Sequence, residues 1–418
     1  MSTAKKFAKN LAVLMTGTTI AQAIPVLISP LLTRIYTPED FGVFALYLAV
    51  ASIIAVVVTG RYEMAIIIPK KHSTALHIAV LSISLAGIAC LCMFLLIVLF
   101  KTYFDRLLGW GDGAQWLYWL PVSVFFMATY QSLNYLCNRE GHYKRMAISR
   151  IFQSSAMSAV HIVGGYIKAG ATGLISGQIL GQFFATCVLA YMMFVRKPTK
   201  TLLISKQKIF ALARRYSDFP KYMILAHGFN TASAQSPIIF LSAYFGSGSA
   251  GFYILIQRVI GAPMAIIASA IADVFRQEAS HEYARSGSCR LIFTKAFVRL
   301  LFISIVPFII FFFLAPTIFV VFFGESWREA GNYAQLLTPM FFLQFIASPL
   351  SAMYMIAQKQ KFYLIWQFVL FGLIVVAFTV GAYADDIEVF LLLVSAFHSF
   401  MYAASGVVSY KLACGEWK

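Results

Sequence analysis

The chemistry this sequence could support gathers around Arg258. It lies in Ala250–Phe275 (AGFYILIQRVIGAPMAIIASAIADVF), which is apolar apart from Gln257, Arg258 and the terminal Asp273. The stretch is long enough to cross a bilayer. At about 1.5 Å per residue Arg258 falls roughly 12 Å inside the boundary, near the middle of a hydrocarbon core about 30 Å thick. A guanidinium at that depth needs water or a fixed anion beside it. On an uninterrupted helix Gly261, Ala262, Ala265 and Ser269 follow on the same face and leave room there. Two readings stay open: a permanent cation in a water-lined path for an anionic substrate, or a structural Arg satisfied by carbonyls or a partner side chain.

Two polar stripes add candidates. Thr18, Gln22, Pro25 and Ser29 step by 4, 3 and 4; His227, Asn230, Ser233 and Pro237 step by 3, 3 and 4, so each set shares a helix face. Polar groups on a spanning helix face protein or water, as cleft lining or as interhelical hydrogen bonds. Thr16, Thr19, Gln131, Asn134, Gln153 and Gln344 are similar with weaker patterns. Arg61 and Glu63 stand in GRYEMAIIIPK, where an apolar run continues to Ile68 and could carry both below the surface on one helix. Two apart on a helix they do not face each other, and each calls for a partner elsewhere. They are gating residues or interfacial anchors; Arg34 reads as an anchor. Glu63, Asp273 and His227 are the gating or coupling candidates.

The absences narrow the chemistry. No Asp or Glu lies deep in an apolar run, whereas a cleft for organic cations would be expected to hold carboxylates. A buried Arg without a buried acid favours an anionic cargo, and diphosphate suits bidentate hydrogen bonding. His227 and His161 are the plausible intramembrane titrators, and a lone histidine is more often packed than relaying protons. The six cysteines are scattered, with no zinc-like pairing with histidines. No GxxxxGK[ST] loop is present, and neither a Ser/His/Asp order nor a carboxylate pair suggests hydrolysis. No cofactor and no metal are expected.

The elements that must position these residues are membrane spans. With 60% hydrophobic residues and a mean hydropathy of +0.79, the 418 residues read as an all-α polytopic membrane protein. Spans are expected near 11–33, 42–60, 76–100, 115–137, 147–168 and 172–195, then near 222–245, 250–274, 300–323, 333–357, 362–383 and 388–411. That gives two bundles of six helices, residues 1–200 and 222–418, joined by a basic cytoplasmic connector over 201–221. Lys5, Lys6 and Lys9 before the first span suggest an uncleaved helix. Of 33 Lys and Arg, 27 fall on the side of the N-terminus and 5 on the other, which places both termini in the cytoplasm. The net charge of +17 is therefore topological, in contact with anionic lipid, and does not indicate nucleic acid. Short outer and inner turns recur in both sets, and six helices per half make the repeat parallel. The longest outer loop, about Lys101 to Ala114, is short for a membrane-embedded glycan polymerase or transferase.

TGTTIAQAIPVLISPLLTRIYTPEDFGVFAL followed by GRYEMAIIIPK, and GFYILIQRVIGAPMAIIASAIADVFRQEAS later in the chain, resemble the Wzx-type O-antigen and polysaccharide-biosynthesis flippases. These belong to the multidrug/oligosaccharidyl-lipid/polysaccharide exporter superfamily. The matching positions are Arg61, Tyr62 and Glu63 in one block and Tyr253, Arg258, Pro263, Val274 and Phe275 in the other. The resemblance implies two six-helix bundles around a V-shaped central cavity in the bacterial inner membrane. Its cargo would be undecaprenyl-diphosphate-linked oligosaccharide, moved to the periplasmic leaflet by alternating access. Arg258 would correspond to the cationic cavity and hold the diphosphate, with Arg61 near the cytoplasmic entrance. Thr18, Gln22, Asn230 and Ser233 would reach the sugars, while the prenyl tail stays in lipid. A polysaccharide polymerase and a chain-length regulator are the protein partners it suggests. The two extra C-terminal helices of typical lipid II flippases are not expected from these apolar runs, which argues against that branch. The alternatives are a drug or metabolite exporter of the same superfamily and a glycan polymerase or transferase.

Overall fold

A computed structural model describes residues 3–100, 116–195 and 205–416. Its architecture is all helical among the described residues. Among the described residues, twelve helical stretches overlap the twelve expected spans, and nine are both long and apolar enough to cross a membrane. The outer loop from Lys101 to Ala114 and connector residues 201–204 lie outside the described residues.

The chain opens with α1 (Thr3–Leu32), which contains Pro25 and Pro30. Next is α2 (Pro38–Val58), whose start is written in the sequence TPED. The Asp40 N–H donates to Thr37 Oγ1, the Thr37 N–H donates to Asp40 Oδ2, and Pro38 takes the first turn. This capping box satisfies two donors that a helix start otherwise leaves open. The short turn α3 (Tyr62–Ala65) follows, then α4 (His72–Leu99), α5 (Leu120–Arg139), α6 (Tyr143–Tyr166) and α7 (Ala171–Ala190). The basic connector is itself structured as α8 (Lys206–Arg215). Ile209, Leu212 and Ala213 pack on the core formed by α4 and α5, while Lys206, Lys208, Arg214 and Arg215 stay exposed. A π-helical turn, Phe219–Met223, leads into α9 (Ile224–Tyr244).

Beyond it come α10 (Ser247–Ile256), a second π turn (Gln257–Gly261) and α11 (Ala262–Ser286). The chain ends with α12 (Arg290–Phe323), α13 (Arg328–Leu350), the short α14 (Met353–Ile356), α15 (Gln360–Ala384) and α16 (Ile387–Cys414). The chain divides into two compact units, Met1–Gln235 and Ser236–Lys418. The division falls inside α9, beyond the 201–221 connector.

In the first unit α6 and α7 pack most intimately. Gly173, Gly177 and Gly181 recur every fourth residue along α7. A Cβ on Gly173 would lie 2.6 Å from the Tyr36 hydroxyl, and one on Gly177 would overlap the His161 ring. Apolar burial gives helices little reason to associate in lipid, so close van der Waals packing through small residues holds them. His161 completes this seam: its Nε2–H donates to the Leu174 carbonyl at 2.9 Å, and its ring meets Phe44 edge-on. It is a packed residue. The second unit builds its core from Phe275, Phe293, Leu300, Phe345, Leu350 and Met353. Phe302, Val306 and Phe313 on α12 stay exposed, as expected of a lipid-facing surface.

Candidate functional site

Arg61 and Glu63 do face each other. The Arg61 Nη1–H donates to Glu63 Oε1 at 3.1 Å, with side chains 12% and 1% exposed. The expectation that a spacing of two keeps them apart, on a helix running toward Ile68, is corrected here. The reason is local: α2 ends at Val58, and Gly60 and Arg61 both take left-handed backbone, at φ 61° and 58°. Glycine adopts that conformation freely, while an arginine is held there at a cost of about 1–3 kcal/mol. The reversed chain brings the two side chains together, and the Arg61 N–H donates to Thr59 Oγ1. The next residue, Tyr62, donates from its hydroxyl to the Ala213 carbonyl of α8 at 2.9 Å. Tyr135 of α5 and His227 of α9 lie within electrostatic range of both Arg61 and Glu63. A buried ion pair, a tyrosine and a histidine are thus gathered from three elements of one unit, α3, α5 and α9.

Thr18 is engaged by a cation from the expected span 147–168. Arg150, on α6, donates from Nη1 to Thr18 Oγ1 at 2.7 Å. One turn further along α6, the Gln153 amide donates to Gln182 Oε1 of α7. Gln153 was a candidate in the sequence; the overlooked signal was Arg150, three residues before it. The rest of the α1 stripe does not share one environment. Gln22 is exposed, whereas Ser29 is fully buried and donates to the Pro25 carbonyl at 2.7 Å; such back-bonding bends helices. On α9 His227 is half-buried, Asn230 exposed and Ser233 buried.

Arg258 sits in the π turn Gln257–Gly261 and not in a straight α-helix. The Ala262 N–H donates to the Gln257 carbonyl, five positions back along the chain. Pro263 accounts for the turn, because it has no N–H for the Val259 carbonyl and its ring clashes with a regular helix there. The inserted residue offsets Arg258 from the Gly261, Ala262, Ala265 and Ser269 face expected of regular geometry. Arg258 is half-buried, with its Nη1 shielded from solvent. The preceding Gln257 donates to the Tyr253 hydroxyl at 3.0 Å. Arg258 belongs to the second unit and Arg61 to the first. Asp273 lies on α11, 47% exposed, with Arg276 at 4.0 Å. No cluster of three His, Cys, Asp or Glu side chains suited to a metal occurs among the described residues.

A family profile described as polysaccharide biosynthesis protein matches residues 31–332, a stretch that includes Arg61, Glu63, Arg150, His227 and Arg258. The chain belongs to this polysaccharide biosynthesis protein family. The resemblance read from the Arg61 and Arg258 blocks is therefore borne out. The succinoglycan biosynthesis transport protein ExoT of Rhizobium meliloti (strain 1021) is 24% identical over 315 residues, 74% of this chain. The chain spans 60% of the length of that relative. A multidrug resistance MATE family transporter of the MOP superfamily, solved facing inward, superposes with a TM-score of 0.71 at 16% identity. That match covers 96% of this chain and 97% of the other. A MOP superfamily transporter from Pyrococcus furiosus, described as having a binding pocket of reverse polarity, gives 0.64 at 14% identity over 98% and 97%. At such identities the likeness establishes the fold. This family member is a multi-pass membrane protein with the fold of those two solved transporters.

Proposed function

We propose that this chain is a flippase for undecaprenyl-diphosphate-linked oligosaccharide in the bacterial inner membrane. Both termini are cytoplasmic, and its halves, residues 1–200 and 222–418, work by alternating access without hydrolysis. Arg258 contacts the diphosphate. Arg61 stands near the cytoplasmic entrance, where its pair with Glu63 beside His227 forms a gate. Arg150 of α6 adds a third cation, bonded to Thr18 of the α1 polar stripe. Gln22 and Asn230 are exposed and free to turn toward cargo, while Ser233 is buried and supports its helix. A polysaccharide polymerase and a chain-length regulator are the expected partners.

The observation that carries this reading is Arg258 itself. A central Arg costs about 2.5–3.5 kcal/mol on membrane-insertion scales. Here it stands in a proline-linked π turn of an apolar helix, in a family of polysaccharide biosynthesis proteins. Selection tolerates such a cost where the charge does work, and a guanidinium's donors suit phosphate oxygens. In cells carrying Arg258→Ala, lipid-linked glycan is expected to accumulate on the cytoplasmic leaflet, with Arg258→Lys intermediate. Wild-type leaflet distribution in Arg258→Ala would remove the assigned role.

A further inference from the structure

The second unit holds a connected run of aromatic rings that the assignments above leave unused. Tyr354 of α14 lies 5.8 Å from Tyr363 of α15 between ring centroids. Tyr363 stacks on Trp366 at 5.9 Å with only 10° between planes, and Trp366 meets Tyr402 of α16 at 5.5 Å. His398 continues the run, 6.1 Å from Tyr402. Three elements therefore build one ladder of rings.

The ladder is rigidly held. The Trp366 indole N–H donates to the Met401 carbonyl at 2.9 Å, and the Tyr354 hydroxyl pairs with Ser405 Oγ at 3.2 Å. Its rings are nevertheless only partly covered: Tyr363 is 40% exposed, and Trp366, His398 and Tyr402 are half-buried. Polar groups flank it. The Gln367 amide donates to the Tyr363 hydroxyl. His398 bonds through Nδ1 to the Val394 carbonyl; a carbonyl only accepts, so Nδ1 carries the hydrogen and the neutral ring keeps Nε2 as an acceptor. Tyr402 lies within electrostatic range of Tyr253, which holds Gln257 beside Arg258.

We propose that Tyr363, Trp366 and Tyr402 form a stacking platform for the sugar rings of the transported glycan, with Gln367 and His398 as its hydrogen-bonding rim. This rests on the reading of the chain as a transporter of lipid-linked oligosaccharide. A pyranose ring presents a face of C–H groups carrying slight positive charge, and the face of an aromatic ring is negative. The edge of the sugar is a belt of hydroxyls that needs donors and acceptors close by. Rings pinned from behind, with polar groups beside them, meet both needs and lose little freedom on binding. An interfacial aromatic belt would direct its N–H and O–H tips at head groups, whereas Trp366 and Tyr354 spend theirs inside the protein. Tyr402 is also within electrostatic range of Tyr253, on the helix that carries the cation assigned to the diphosphate.

The test uses the full chain in lipid nanodiscs and two probes: undecaprenyl diphosphate alone, and undecaprenyl diphosphate bearing a linear hexose oligosaccharide. Wild type should bind the glycan-bearing probe more tightly. Tyr363→Leu and Tyr402→Leu should each cut that advantage about two- to tenfold, with affinity for the bare probe unchanged and melting temperatures near wild type. Tyr402→Phe keeps the ring and should keep the advantage. A wild type that binds both probes equally, or Leu variants that retain the full advantage, overturns this proposal alone. A wild type that binds neither probe overturns the transport reading and the platform with it.

Discussion

The Arg61–Glu63 pair offers a sharp energetic test. At 3.1 Å and an effective dielectric of about 20, the Coulomb attraction is about 5 kcal/mol. Desolvation consumes much of it, since Glu63 is 1% exposed. Removing one partner strands the other, at an expected cost of about 3–5 kcal/mol, whereas replacing both with apolar residues is close to neutral. Arg61→Met and Glu63→Met should therefore each lower stability by that amount in chemical denaturation of the detergent-solubilised protein. The double variant should recover most of the loss, giving a coupling of about 5 kcal/mol or more. A gating role adds a functional signature: the double variant, stable but chargeless, should transport poorly. Single effects that sum to within about 0.5 kcal/mol of the double variant would mean that the two residues act independently, and the Arg61–Glu63 gate would be refuted.

Other expectations follow from the same geometry. Gly177→Ala should destabilise by about 1–3 kcal/mol through overpacking, because its Cβ meets the His161 ring and lies 3.1 Å from the Met157 carbonyl. His161→Ala should partly rescue that variant in thermal melts, and failure of the rescue would show that the clash is with backbone. Arg150→Met should slow cargo movement more than Thr18→Val does, as measured by leaflet accumulation of lipid-linked glycan. Equal effects would reduce Arg150 to a partner for Thr18.

Much of the architecture was legible in the sequence because twelve apolar runs and the TPED cap need only local rules. The Arg61–Glu63 pair was not. Spacing rules assume a continuous helix, and Gly60 was the sign that this one had ended. Arg258 was found by depth alone, yet its π turn followed from Pro263, five residues on. Arg150 was hidden because an apolar run that starts just before it leaves the loop boundary ambiguous. The aromatic ladder could not be read at all: Trp366 and Tyr402 are distant in sequence, and only the packing of α15 on α16 brings their rings together.

The account turns on whether the Arg258 charge serves the cargo. The most direct measurement is the flipping rate of an undecaprenyl-diphosphate-linked oligosaccharide in proteoliposomes reconstituted with wild type, Arg258→Lys or Arg258→Ala. The account predicts a strong loss in Arg258→Ala, a partial one in Arg258→Lys, and unchanged helix content in both. Wild-type flipping by Arg258→Ala would contradict it.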